Sequence, residues 1–273
     1  MDCKLIVCVY NQPDFIRLQY KSLSKFLQQS FTMCVCDDSL DKEISNEIKK
    51  VCEINNIEYL RAPYNHSGDP SSRHSAALNY ALNNTDKNGF KFFGLLDSDL
   101  FLLSKLDIEK LLSHSEIATR TQHNSGLCYF SPMLCIWKAE TKLQDFTWEF
   151  IPGGDTGSST HNFHKEHPEF KVNNFSQGRI KRSIEDDVEK AMIIFGDERE
   201  LLFSKIPQEI SDFCRNDIEY ANNKNIQYMT EFFTLEDIVF FHFVSISNWR
   251  NIEETYFNNK IITFTKAIET LLL

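Results

Sequence analysis

Two aspartates, Asp97 and Asp99, close a long apolar run in the sequence, and only Ser98 separates them. Apolar residues precede the pair and also follow it, beginning with Leu100 and Phe101. Burying a carboxylate without a partner is costly, so this pair requires a compensating positive charge. A divalent cation shared with diphosphate oxygens would supply that charge, because hard cations prefer oxygen ligands. The pattern favours metal or phosphate chemistry over an acidic turn that faces solvent.

The segments around this pair alternate between strand and helix patterns. Apolar runs of strand length occupy residues 4–10, 32–36, 57–60 and 90–96, and residues 15–26, 44–52 and 76–81 carry apolar side chains at helical spacing. Such β-α-β repeats predict an α/β fold with a mostly parallel central sheet and helices on both faces. Asp97 and Asp99 would then lie at the carboxyl edge of the fourth strand, the edge at which α/β sheets bind ligands.

The second half of the sequence is less regular. It contains a glycine-rich loop at residues 151–160, a helical pattern at 183–195, a strand-rich apolar stretch at 232–244 and a closing helix from residue 252. The sequence has no internal repeat and no low-complexity linker. We therefore expect a single domain over residues 1–273, with one half at about 1–101 and the other at about 102–273.

Composition excludes several classes of protein. The 273 residues include 29 Lys and Arg against 39 Asp and Glu, so the formal net charge is −10. Nucleic acids are held mainly by cationic side chains on their phosphates, so general nucleic-acid binding is excluded. No stretch approaches the roughly 20 apolar residues that span a bilayer. The eight cysteines form no Cys-x-x-Cys pair, which is typical of reduced thiols that act as small apolar side chains, and a cytoplasmic location is expected.

The ordered set of motifs in the first 101 residues resembles the GT-A fold glycosyltransferases, especially the family 2-like group. Asp97-Ser98-Asp99 is similar to the Asp-x-Asp that follows an apolar strand in that family. Tyr10-Asn11 follows the first strand, as in the family, and Asp37-Asp38-Ser39 resembles its Asp-Asp-Gly-Ser although the glycine is missing. Arg73 lies where family members place a basic residue near the nucleotide.

This resemblance implies a GT-A-like fold whose first half binds a nucleotide-diphosphate sugar, such as a UDP- or GDP-sugar. Asp97 and Asp99 would hold Mn²⁺ or Mg²⁺ on the diphosphate. Several GT-A enzymes deliver a histidine to the metal from a late strand, and His242 is the candidate here because a polar loop follows its apolar strand. The nucleotide sugar would be contacted by Tyr10, Asn11, Asp37, Asp38, Arg73, Asp97 and Arg250.

A transferase that inverts the anomeric configuration also needs a general base for the acceptor hydroxyl. Asp155 is the first candidate, because the glycines around it allow the backbone to approach a ligand closely. Asp186, in an acidic run before a helical pattern, is the second candidate. An enzyme that retains the configuration needs neither residue. Sugar acceptors often stack on aromatic rings, and Trp148 beside the glycine-rich loop is a candidate for that contact.

These features predict a metal-dependent glycosyltransferase that moves one sugar from a nucleotide-diphosphate sugar to a hydroxyl group of a glycan or another acceptor. The chain lacks the Gln-x-x-Arg-Trp signature of processive synthases, which favours transfer of single sugars. Two alternatives remain. One is a haloacid dehalogenase-like phosphatase with Asp97 as its nucleophile, since that class also ends a strand in Asp-x-Asp. The other is a binding module for nucleotide sugars without turnover.

Overall fold

The computed structural model describes residues 1–63, 70–182, 192–193, 196–224, 228–243 and 254–273, and the chain divides into two units. Unit 1 consists of Met1–Tyr20, Leu27–Ser98 and Leu106–Phe175. Unit 2 consists of Lys21–Phe26, Asp99–Lys105 and Ser176–Leu273. Both units therefore draw on each of the two halves expected from the sequence.

Among the described residues, unit 1 is built on a seven-stranded mixed sheet. Its strands are β1 (Cys3–Val9), β2 (Phe31–Asp37), β3 (Glu58–Arg61), β4 (Phe92–Asp97), β6 (Ile117–Asn124), β7 (Leu127–Lys138) and β8 (Val172–Asn174), whereas β5 (Leu100–Leu102) belongs to unit 2. The strand order is β3-β2-β1-β4-β7-β6-β8. The first four strands are parallel to one another, β8 is parallel to β6, and β7 is antiparallel to both β4 and β6.

Helices connect the parallel strands, as the β-α-β pattern predicts. They are α1 (Pro13–Phe26), α2 (Lys42–Ile54) and α3 (Pro70–Asn84). Pro13 suits the first turn of α1, because the N–H it lacks would have no partner within the helix. Asp41 caps α2, since its carboxylate accepts hydrogen bonds from the backbone N–H groups of Glu43 at 2.7 Å and Ile44 at 3.4 Å.

Both faces of the parallel strands are buried. Ile6 and Val7 of β1 are 1% and 0% exposed, although successive side chains of a strand point to opposite faces. Ile6 packs in a cluster with Cys36 of β2 and with Ala77 and Ala81 of α3. Burial on both faces explains why these strands appear in the sequence as continuous apolar runs. Six of the eight cysteines are buried among such side chains.

Unit 1 is completed by an antiparallel hairpin and short helices. The sequence suggests that Pro132 interrupts a strand, yet β7 runs continuously past it. Thr119 of β6 lies opposite Cys135, whereas Thr121 lies opposite Phe130, so the register shifts around the proline. Such an irregularity accommodates a residue that cannot donate to the sheet. The short helices are α4 (Ile108–Leu111), α5 (Thr160–Glu166) and the 3-10 turns Ala139–Thr141 and Leu143–Asp145.

The described part of unit 2 contains a second sheet and three helices. Its strand order is β10-β9-β11-β12-β5, in which β9 is Ser176–Arg182, β10 is Met192–Ile193, β11 is Tyr228–Leu235 and β12 is Ile238–His242. The helices are α6 (Gly196–Lys205), α7 (Gln208–Lys224) and α8 (Glu254–Leu272). Phe264 of α8 is fully buried, and its ring centre lies 4.9 Å from those of Phe101 on β5 and Phe241 on β12. These aromatic rings form the core that joins α8 to the sheet.

The predicted α/β organisation is confirmed, with a mixed rather than purely parallel sheet. The four predicted strands in the first 101 residues match β1 to β4 to within two residues at each end. Most of the helical pattern at residues 183–195 lies outside the described residues. Among the helices that the structure describes, none combines the length and apolar character that crossing a bilayer requires.

Candidate active site

β4 ends at Asp97, and Asp99 follows two residues later at the start of a segment of unit 2. The side chain of Asp97 is 27% exposed and that of Asp99 is 9% exposed. Within unit 1, Gln19 donates a side-chain hydrogen bond of 2.6 Å to the carbonyl of Asp97. Within unit 2, the N–H of Phe243 donates to the carbonyl of Asp99 at 2.9 Å. Each aspartate is therefore anchored through its backbone by its own unit.

Unit 2 brings His242 to Asp99. The β5–β12 ladder pairs His242 with Leu100, the residue directly after Asp99. His242 Nε2 lies 3.2 Å from Asp99 Oδ1, and both side chains are about nine-tenths buried. The sequence predicts this pair as ligands of one cation, and the strand pairing accounts for their proximity.

A second carboxylate lies on the other side of the imidazole. Glu231 of β11 is 2% exposed, and its Oε2 is 2.8 Å from His242 Nδ1. Arg179 of β9 donates through Nε to the other oxygen of Glu231. Glu231 is paired in register with Arg179 on one side and with His242 on the other. We call these three residues the polar row of unit 2.

The charges around His242 favour its protonated form in the absence of a metal. Burial alone would lower the pKa of His242, because it disfavours the charged ring. The negative charges and hydrogen bonds of Asp99 and Glu231 outweigh burial and raise the pKa to about 10. The space between the two carboxylates is therefore suited to positive charge.

The carboxyl ends of β1 and β2 carry most of the residues expected to contact a nucleotide. Asn11 follows β1 in the left-handed region, with a φ of 58°, and its N–H donates to Ser39 Oγ at 2.8 Å. The guanidinium of Arg73, on α3, lies 4.9 Å from the ring centre of Tyr10 and 3.4 Å from Asp38 Oδ2. Unit 1 thus gathers Tyr10, Asn11, Asp38 and Arg73 at one edge of its sheet.

Asp37 has a different environment, because its side chain is fully buried and bonded within unit 1. Oδ2 accepts hydrogen bonds from Ser45 Oγ and from Tyr59 OH, the latter at 2.9 Å, and it lies 3.0 Å from Arg61 Nη1. Oδ1 accepts from the N–H of Ser39 at 2.8 Å. These bonds give Asp37 a structural role, and its contact with a nucleotide stays a prediction.

Asp155 is held at the beginning of α3. Ser71 donates a side-chain hydrogen bond to Asp155 Oδ1, and that oxygen also accepts the N–H of Thr156 at 2.7 Å. Thr156 Oγ1 in turn donates to the carbonyl of Ser71 at 3.1 Å. Because Ser71 lies two residues before Arg73, these bonds attach the glycine-rich loop to the helix that carries the basic residue.

The expectation that Trp148 stacks against an acceptor is wrong. Its side chain is fully buried, and its ring centre lies 6.0 Å from that of Trp137 in the core of unit 1. An apolar ring of this size stabilises the fold by burial, and it offers no face to a ligand.

Two predicted residues, Asp186 and Arg250, lie outside the described residues. Three residues near the expected ligands were not predicted from the sequence: Glu231, Arg179 and His74, whose Nε2 is 3.8 Å from Asp97 Oδ1. Glu231 had one visible signal, an acidic residue directly before the apolar Phe232. Its pairing with His242 depends on strand register, which the sequence pattern does not give.

The donor set at Asp99 and His242 suits a divalent cation. A carboxylate and an imidazole are common ligands of Mn²⁺, and carboxylates are the usual protein ligands of Mg²⁺. Glu231 contacts the ring nitrogen that faces away from Asp99, so Nε2 is the atom available to a cation beside Asp99. The residues present therefore fit the predicted metal.

Comparison with known proteins finds a family match for part of the chain. Residues 4–120 match the family model described as Glycosyl transferase family 2. No curated protein compared with the chain gives a significant match. Among solved structures, the mannosyltransferase PcManGT from Pyrobaculum calidifontis, in complex with GDP-Man and Mn²⁺, is similar with 11% identity and a TM-score of 0.44.

S. aureus TarS gives a TM-score of 0.44 with 15% identity, and TarS 1–349 in complex with UDP-GlcNAc gives 0.39 with 20% identity. The chain is covered over 63%, 78% and 55% of its length in these three comparisons, in the order given. It spans only 54%, 42% and 49% of the respective structures. Residues 4–120, less than half of the chain, thus match glycosyl transferase family 2, and the structure has the α/β fold and the Asp-x-Asp that the sequence predicts.

Proposed function

We propose that the chain is a metal-dependent glycosyltransferase that moves one sugar from a nucleotide-diphosphate sugar to an acceptor hydroxyl. The observation that carries the proposal is the 3.2 Å approach of His242 to Asp99, the second aspartate of the Asp-x-Asp in the matched family segment. A buried carboxylate and a buried imidazole that come together from distant parts of the sequence are an arrangement typical of metal sites.

Asp99 and His242 would bind the cation, Mn²⁺ or Mg²⁺, and Asp97 would share it or contact the ribose. When bound, the cation neutralises the diphosphate as negative charge develops on the leaving group. Arg73 would hold the nucleotide from the edge of unit 1, where its guanidinium already lies over the ring of Tyr10. Donor specificity for a UDP- or a GDP-sugar, and a glycan or other hydroxyl acceptor, are parts of this proposal.

Asp155 would act as the general base if the reaction inverts the anomeric configuration. Hydrogen bonds from the hydroxyl of Ser71 and from the N–H of Thr156 hold its carboxylate in place, and the residue is exposed, so an acceptor can reach it. In this role Asp155 would take the proton of the acceptor hydroxyl as that oxygen attacks the anomeric carbon.

The test is Mn²⁺-dependent turnover of a panel of UDP- and GDP-sugars by the wild type and by Asp99→Asn. The amide keeps the size of the side chain but loses the charge that binds the cation, so we expect turnover to fall by about 10²-fold or more. Asp145→Asn is the matched control, because Asp145 is 57% exposed and pairs with Lys87 at 3.0 Å. Normal turnover by Asp99→Asn would refute the proposed role.

The same panel separates the alternatives. Stabilisation by nucleotide and Mn²⁺ without turnover of any sugar donor would favour a binding module. A phosphoaspartate trapped at Asp97 would favour the phosphatase hypothesis, which requires that residue as a nucleophile. The family match over residues 4–120 supports the transferase instead.

A further inference from the structure

Glu231 is a buried carboxylate whose bonds the proposed reaction does not require. It is 2% exposed and occupies the middle of the polar row, between Arg179 on β9 and His242 on β12. Directly opposed residues in antiparallel strands have side chains on the same face and within reach of one another. Each oxygen of Glu231 therefore has its own partner, Nε of Arg179 for Oε1 and Nδ1 of His242 for Oε2.

The bonds of Glu231 determine which nitrogen of His242 carries a proton. An ionised carboxylate only accepts hydrogen bonds, so the Nδ1 atom at 2.8 Å must be the donor. A neutral imidazole has one protonated nitrogen, and a proton fixed on Nδ1 leaves the lone pair on Nε2. Nε2 is the nitrogen that lies 3.2 Å from Asp99.

We propose that Glu231 is a positioning residue that orients His242 and fixes its Nδ1–H form, so that Nε2 faces the cation held with Asp99. This inference rests on the proposed metal-dependent function. Glu231 itself does not contact the cation in this arrangement, because it bonds the opposite side of the ring. Carboxylates that bond metal-binding histidines in this way orient the ring and increase its basicity as a ligand.

Arg179 completes the arrangement by holding the Glu231 carboxylate in place. Its Nε bonds Oε1 of Glu231, and the other oxygen, Oε2, lies against Nδ1 of His242. Burying a carboxylate is costly unless a cation is paired with it, and the Arg179 guanidinium is that cation. The Arg179 side chain is 12% exposed, so little solvent screens its attraction to Glu231. The row therefore links the charge of Arg179 to the orientation of a ring two strands away.

The first test is the ring ¹⁵N spectrum of His242 in histidine-labelled protein, with His242→Gln used for assignment. In the Mg²⁺-loaded wild type we expect a protonated Nδ1 and a deprotonated Nε2. In the metal-free wild type we expect slow exchange of the Nδ1 proton with water, because Glu231 accepts it. A deprotonated Nδ1 in the Mg²⁺-loaded protein, or rapid exchange of the Nδ1 proton in the metal-free protein, would overturn the proposal.

The second test measures Mn²⁺ affinity from the electron paramagnetic resonance signal of free Mn²⁺. Glu231→Leu removes the acceptor at similar size, and we expect binding weaker by about 10- to 100-fold. Glu231→Gln keeps an acceptor oxygen, so it should recover part of the affinity and the slow exchange of the Nδ1 proton. Asp217→Asn is the matched control, since Asp217 is another buried carboxylate of unit 2, paired with Lys260 at 3.2 Å.

An equal loss of Mn²⁺ affinity in Asp217→Asn and Glu231→Leu would show a general loss of structure and would overturn the proposal. If Glu231→Leu does not fold, the wild-type spectra and Glu231→Gln still decide the outcome. A wild type that binds no Mn²⁺ would contradict the proposed function, whereas the exchange of the Nδ1 proton in metal-free protein would still decide whether Glu231 orients the ring.

Discussion

Asp37 and Asp38 are neighbours in the sequence, yet their carboxylates differ in burial and in bonding partners. The Asp37 side chain is fully buried and bonded to several donors of unit 1, whereas the Asp38 side chain is 15% exposed and pairs with Arg73. Burial raises the pKa of Asp38, and the nearby Arg73 and His74 oppose that shift. Asp38 is therefore the better candidate for a ligand contact, and Asp37 the better candidate for a stabilising residue.

Asp37→Ala should destabilise unit 1 strongly. The substitution removes the carboxylate that accepts from Ser45, Tyr59 and the N–H of Ser39, and each buried group left unsatisfied costs about 1–3 kcal/mol. The two hydroxyls lie 3.0 Å apart and can still bond each other, so only part of this set loses its partner. We expect the free energy of unfolding to fall by about 2–5 kcal/mol, the combined cost of the buried donors that lose their acceptor. Urea unfolding followed by the fluorescence of Trp137 and Trp148, both in unit 1, measures this change.

Asp38→Ala is the control for this prediction, because it removes a neighbouring aspartate whose carboxylate pairs with Arg73 at 3.4 Å. A partly exposed pair of this kind contributes about 1 kcal/mol or less. Equal losses of stability in the two variants would contradict the structural role given to Asp37.

At the scale of elements, the glycine-rich loop depends on backbone geometry at Gly157. Its φ of 79° lies in the left-handed region, where a Cβ adds strain. A Cβ at this position would also lie 2.9 Å from Trp148 Cε3 and 3.2 Å from the carbonyl of Phe130. The loop that carries Asp155 is thus packed directly against a buried ring and a neighbouring strand.

Gly157→Ala should lower the free energy of unfolding by about 2–5 kcal/mol, the sum of left-handed strain and overpacking. Gly126→Ala is the matched control, since Gly126 has a φ of 80° but a Cβ added there would meet no atom within 4 Å. Gly126→Ala should lower the free energy of unfolding only by the left-handed strain, about 1–2 kcal/mol. Equal losses in urea unfolding of the two variants would show that crowding at Gly157 has no effect.

The sequence predicts elements better than it predicts their pairing. β1 to β4 are recognisable because burial on both faces makes them continuous apolar runs. Asp97 and Asp99 stand out for the same reason, as charges within such a run. The polar row is not recognisable, because Arg179 is distant from the other two residues in sequence, and all three meet only through the register of β9, β11 and β12.

At the scale of the whole molecule, the two units are interleaved in the sequence. Unit 2 takes two short segments, Lys21–Phe26 and Asp99–Lys105, from the part of the chain that otherwise forms unit 1. Apolar periodicity does not reveal this exchange, because β5 continues the same apolar run as β4 on the other side of the aspartates. The division expected near residue 101 therefore reflects a change of pattern rather than the boundary between the units.

The interleaving predicts that a fragment of residues 1–175 exposes apolar surface. β5 pairs with β12, and its Phe101 is 0% exposed and packs against Phe264 of α8. The fragment lacks both β12 and α8. We expect the fragment to bind the dye ANS and to self-associate, whereas the full chain should do neither to the same extent. Size-exclusion chromatography and ANS fluorescence at equal concentrations measure the difference.

Phe101→Ser should destabilise the full chain, whereas in the fragment it should reduce exposure of apolar surface. In the full chain it removes a buried ring from the core of unit 2, and loss of such a ring costs about 3–5 kcal/mol. In the fragment the same ring has no apolar partner from β12 or α8, so its replacement should reduce ANS binding and self-association. If the substitution leaves the fragment unchanged, Phe101 is covered by residues 1–175 alone, and the assignment of β5 to unit 2 is wrong.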